Sequence, residues 1–132
     1  MSDMSAGDRQ EFLAGLEFFS GCTERQLRDV AHLAEERHLP VGAELVQQGA
    51  FDNEVYVVVE GAAEVVIDGA VVGTTHVGEI VGELSMLGNG RRAATLRVSA
   101  PMRVLVLEPE EIDSVLAADP SSARRITDHD TR

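Results

Sequence analysis

From Asp8 to Phe19 the apolar residues Phe12, Leu13, Leu16 and Phe19 recur at helical spacing, and Ser20-Gly21 closes the pattern. Thr23 is placed to cap a second helix, with Gln26 three residues on completing a capping box. Leu27, Val30, Ala31, Leu33 and Ala34 form its apolar face, so residues 8–38 are expected to be helical. At Pro40 the pattern changes. Segments shorten, β-branched residues dominate, and glycines recur at 42, 49, 61, 69, 73, 78 and 82. Val55–Val59 and Glu64–Ile67 read as buried strands, and Asp68-Gly69 between Ile67 and Val71 is a two-residue hairpin signal. Arg97-Val98 and Met102–Leu107 read as two further strands on either side of Pro101. Short strands with glycine turns across residues 39–108 indicate an antiparallel sandwich or β-roll. After Pro109 the helical pattern returns. Glu110, Glu111 and Asp113 suit the positive end of a helix dipole, Ile112, Val115 and Leu116 form its apolar face, and Pro120 stops it. The segment Ser121–Arg132 is polar, with Ile126 its sole large apolar residue.

Composition narrows what this mainly β fold with flanking helices does. The chain has 132 residues, enough for a single domain over 1–132, and is 44% hydrophobic, enough for a core. Twenty-three acidic residues against eleven basic ones give a net charge of −12, which opposes nucleic acid or an anionic membrane as partner. All eleven basic residues are Arg, so neither a Schiff-base lysine nor a P-loop lysine is present. The single Cys22 excludes an internal disulfide and a Cys-rich zinc site. No apolar run approaches the ~20 residues of a membrane span, and the first residues carry no secretory signal. A cytoplasmic protein is expected. His32 and His38 lack a second ligand at helical spacing, and His76 lacks the partners a cupin metal set needs. No nucleophilic triad or calcium-loop spacing occurs. The expectation is therefore no enzyme, no catalytic residue, no metal and no cofactor.

The informative stretch runs from Gly82 to Thr95 and interrupts the β region. Glu83–Leu87 are good helix formers, and the open N–H groups of such a turn suit an anion. Gly88 and Gly90 end it, and Arg92 follows at the head of a strand, nine residues after Glu83. A carboxylate accepts from sugar hydroxyls, and a guanidinium pairs bidentately with phosphate. A compact ribose phosphate is the ligand this pair fits.

The stretch Val81-Gly82-Glu83-Leu84-Ser85-Met86-Leu87, four residues, then Arg92-Ala93-Ala94-Thr95, resembles the phosphate-binding cassette of the cyclic nucleotide-binding domain family without a gap. That family includes regulatory subunits of cyclic AMP-dependent protein kinase and the bacterial catabolite activator protein. Pro40–Leu45, Gly49, Tyr56 and Gly61 resemble its upstream markers, so the likeness spans roughly Leu16 to Leu116. It implies a jelly-roll-like antiparallel β-roll of about eight strands over 39–108, a cassette over 82–95, N-terminal helices and a C-terminal helix and tail over 109–132. It also implies that Glu83 binds the ribose 2′-hydroxyl and Arg92 the cyclic phosphate. The backbone N–H groups of Ser85 and Ala93 approach the phosphate in that picture, with Gly82 and Leu84 beside the ribose. Two positions depart from the family pattern: Val81 stands for an aromatic, and Arg91 for a proline. Arg91, off register by one, is expected on the opposite face from Arg92, with little part in binding.

The resemblance thus implies a sensor or regulatory module for cyclic AMP, or else cyclic GMP, acting on an unknown effector protein by population shift. Ala93 offers no side chain to a guanine amino group, which favours cyclic AMP. The alternatives are a ligand-free family member serving as an interaction scaffold, and the N-terminal sensor of a longer regulator. The polar Ser121–Arg132 segment lacks the repeated apolar positions of a dimer helix, so a monomer is expected.

Overall fold

The computed structural model describes residues 3–51, 54–82 and 91–116. The chain divides into two units, Met1–Glu35 with Leu107–Arg132, and Glu36–Val106. The first unit holds α1 (Ala6–Ala14), a 3-10 turn (Glu17–Phe19), α2 (Glu24–Leu33) and α3 (Pro109–Leu116). Ser5 caps α1 by accepting from the Asp8 N–H at 3.0 Å. Thr23 and Gln26 form the expected capping box, with reciprocal bonds of 3.1 and 2.8 Å that satisfy two backbone donors at the start of α2. Leu13, Phe19, Leu27, Val30, Ala31 and Ile112 are buried. Leu33, expected on the apolar face, is instead exposed in the last position of α2. Arg9 donates to the Ala34 carbonyl at 2.8 Å, placing a cation where α2 ends and the helix dipole is negative.

The second unit is a six-stranded antiparallel sheet among the described residues. It comprises β1 (Glu35–Leu39), β2 (Glu44–Val46), β3 (Val55–Ile67), β4 (Ala70–Thr74), β5 (Ile80–Val81) and β6 (Thr95–Leu107). The order is β1-β6-β3-β4, with β2 on β6 and β5 on β3. Val46, Tyr56, Val58, Ala63, Leu96, Val98, Met102, Val104 and Val106 form its core, to which β6 contributes alternate residues, Leu96 and Val98 and then Met102, Val104 and Val106. The β4 strand lies at one end of the path and is exposed along its length.

Three expectations are corrected. The helical segment stops at Leu33, and Glu35–Leu39 is a strand. Its composition is charged, but the Glu36 side chain is only 1% exposed and holds Arg103 at 3.4 Å and His38 at 2.7 Å. Pairing and a buried charge cluster outweighed local composition. Second, Val55–Val59 and Glu64–Ile67, expected as separate strands, are one strand, and Arg97-Val98 and Met102–Leu107 another, which leaves six strands among the described residues. The intervening Gly61 and Pro101 do not break the strands. Gly61 has φ +82°, and a Cβ there would come within 2.8 Å of the Ala100 carbonyl oxygen and closer still to that of Pro101. Glycine at 61 is what allows the two backbones to approach where they do. Third, the first helix begins at Ala6 and not Asp8, because Ser5 is its cap.

The hairpin forms as expected. Asp68 and Gly69 have φ of 51° and 81°, the positive values a type I′ turn requires. Gln48 fixes that turn from outside, accepting from the Asp68 N–H at 2.9 Å and donating to its carboxylate at 3.0 Å. Residues 83–90 of the cassette and the 117–132 tail lie outside the described residues.

Candidate functional site

Arg92 lies three residues before β6 and is 6% exposed. A buried guanidinium is costly unless its surroundings replace water. Here its Nη2 donates to the Glu54 carbonyl oxygen at 2.6 Å, and its Cζ sits 5.6 Å from the centroid of the Tyr56 ring. These two contacts are neutral: a peptide dipole and the negative face of an aromatic ring. Tyr56, 2% exposed, is held in turn by its hydroxyl, which donates to the Glu54 carboxylate at 3.0 Å. Arg37 approaches the same carboxylate at 3.8 Å and the same ring at 6.0 Å.

The Arg92 backbone is tied as tightly as its side chain. Its N–H donates to the Ala50 carbonyl at 3.0 Å, and its carbonyl accepts from the Gly49 N–H at 2.8 Å. The turn after β2 therefore fixes where the strand-leading arginine begins.

Sheet register brings Gly82 to this point. The β5–β3 pairing sets Val81 opposite Tyr56, so the next residue, Gly82, arrives at Val55, close to the Glu54 carbonyl. Gly82 has φ +90°, and a Cβ on it would meet the Arg92 guanidinium and lie 2.8 Å from the Glu54 carbonyl oxygen. Only glycine leaves room there for the arginine. Two of the residues expected in the site, Gly82 and Arg92, are thus in contact although ten positions apart in sequence. Ala93 follows Arg92 and is exposed. Glu83, Leu84 and Ser85 lie outside the described residues. Arg91 is exposed where Arg92 is buried, as their register implies.

Sequence reasoning missed Glu54 as a support. The available signal was a single aromatic with an acidic neighbour, Glu54-Val55-Tyr56, in an otherwise aliphatic strand. The arrangement is a planar cation of fixed position, suited to the bidentate grip of a phosphate-like anion.

Comparison with known proteins agrees with the geometry. Residues 36–119, well over half of the chain, match the cyclic nucleotide-binding domain. The chain belongs to this family. The match covers the whole sheet except Glu35. A cAMP-dependent protein kinase regulatory subunit of Yarrowia lipolytica is 31% identical over 83 residues, 63% of this chain and 22% of that protein. The chain therefore spans about a fifth of that relative's length. Among solved structures, the regulatory domain of Toxoplasma gondii PKA with cAMP matches with a TM-score of 0.79 at 21% identity, over 96% of this chain and 49% of that one. A putative cyclic nucleotide-binding protein from Geobacter metallireducens matches with a TM-score of 0.77 at 20% identity, covering 92% of both chains. At these identities the structures establish a shared β-roll fold. Among the described residues no helix is long and apolar enough to cross a membrane.

Proposed function

We propose that this chain is a cyclic nucleotide sensor that prefers cyclic AMP to cyclic GMP and regulates an effector protein without catalysing a reaction. Arg92 takes the cyclic phosphate, and Glu83 takes the ribose 2′-hydroxyl. The backbone N–H groups of Ser85 and Ala93 add to the phosphate contacts, with Gly82 and Leu84 beside the sugar. The observation that carries this reading is the buried Arg92, fixed by Glu54 and Tyr56 with Gly82 packed against its guanidinium. A glycine that admits no side chain beside a buried guanidinium supports a site built around that cation.

Signalling by such a module is a population shift. The nucleotide changes the output only by binding one conformation more tightly than another, at about 1.4 kcal/mol for each tenfold shift. Base preference follows from Ala93, which presents a methyl group and no hydrogen-bonding atom. Calorimetric titration of the intact chain with cyclic AMP and with cyclic GMP tests the reading. Saturable binding of both, tighter for cyclic AMP, is expected, and Ala93→Thr raises the relative affinity for cyclic GMP. Failure of both nucleotides to bind overturns the proposal, and a wild type that prefers cyclic GMP overturns the base assignment.

A further inference from the structure

We infer that Arg91, given little part in binding by its register alone, is a positioning residue for the neighbouring Arg92, acting through Phe51; this rests on the phosphate-binding reading of Arg92 given above. Phe51 is 69% exposed, so burial does not explain a phenylalanine there. What it contacts is a cation: the Arg91 Cζ lies 4.1 Å from its ring centroid, well within cation–π range. The two residues also form an antiparallel backbone bridge. The Arg91 Nη1 donates to the Gly49 carbonyl oxygen at 2.9 Å.

Gly49 is the link to the site. Its N–H donates to the Arg92 carbonyl, while its own carbonyl accepts from the Arg91 side chain. The Ala50 carbonyl takes the Arg92 N–H. Residues 49–51 and the pair Arg91-Arg92 thus close on each other through three hydrogen bonds and one stacked ring. The exposed arginine secures the turn, and the turn secures the backbone of the buried one. A bidentate contact is sensitive to angle, so loosening the turn spreads the guanidinium over orientations that grip a phosphate less well.

Arg91 could instead act only as a nearby positive charge. Variants that preserve charge separate the two. Phe51→Ala leaves both arginines in place, and Arg91→Lys keeps the charge but loses the planar stack. Calorimetry with cyclic AMP is expected to show Arg91→Ala, Arg91→Lys and Phe51→Ala each weakened about three- to tenfold, the scale of one exposed cation–π pair and one hydrogen bond. The Phe51→Ala/Arg91→Ala double variant is expected to lose no more than Arg91→Ala alone. Amide hydrogen exchange of the ligand-free protein is expected to quicken at Gly49 and Arg92 in all three single variants. Wild-type affinity in Phe51→Ala and Arg91→Lys, with loss confined to Arg91→Ala, makes Arg91 a charge only and overturns the inference. Unchanged exchange at Gly49 and Arg92 in Arg91→Ala overturns it whatever binds. A wild type that binds neither cyclic AMP nor cyclic GMP overturns the functional reading, and the effect on affinity falls with it.

Discussion

Arg92 has a neutral escort: the Glu54 carbonyl on one nitrogen and the Tyr56 ring below its Cζ. Neither of these two contacts carries a charge, and together they hold the plane of the guanidinium in place. Hydrogen bonds to a charged group contribute ~1.5–3 kcal/mol each, so Arg92→Ala is expected to weaken cyclic AMP binding at least about tenfold by calorimetry. Arg92→Lys should recover little, because a point charge cannot reproduce the fork. Gly82→Ala tests the same site from the other side. Its Cβ would meet the guanidinium and the Glu54 carbonyl, so the arginine must move. Binding is expected to fall roughly as far as in Arg92→Ala, with far-ultraviolet circular dichroism unchanged, if the collision is relieved by displacing Arg92. Wild-type affinity in Gly82→Ala would mean that Arg92 reaches the ligand from another position.

At the scale of elements, the two long strands β3 and β6 meet where Gly61 faces Pro101. Gly61 and Gly69 have nearly the same φ, +82° and +81°, but a Cβ on Gly69 would touch nothing within 4 Å. A comparison of Gly61→Ala with Gly69→Ala therefore separates backbone strain from collision. Gly69→Ala should cost about 1 kcal/mol and Gly61→Ala about 2 kcal/mol or more, read from urea midpoints. Equal costs would show that the Pro101 backbone gives way easily. The elements that local patterning predicted well are those whose signals lie within a few residues: the Thr23–Gln26 box, the Asp68-Gly69 turn and the acidic start of α3. β1 was not legible because its reasons lie far off in sequence, in β6 and in Arg103.

For the molecule as a whole, the −12 charge sets a competition between general self-repulsion and particular ion pairs. Salt screens both, but over different distances. The Glu36–Arg103 pair is largely shielded from solvent, whereas most carboxylates are exposed. Raising sodium chloride from a low concentration to a physiological one is therefore expected to raise Tm by about 2–8 °C, the shift of roughly 1 kcal/mol in a domain this size. A falling Tm would assign the larger share to local pairs.

By itself the sequence determined the kind of fold, the start of α2 and the main hairpin, and it singled out Gly82 and Arg92. These follow from periodicity, turn chemistry and a contiguous motif, all expressed within short stretches of chain. Tertiary structure alone decided what stands around the arginine. Gly82 reaches Glu54 because β3 pairs with β5 in one particular register, and Gly49 to Phe51 reach Arg91 and Arg92 across some forty residues of chain. A shift of one residue in the β3–β5 register would turn Val81 to the other face and carry Gly82 away from Glu54, leaving composition and motif unchanged.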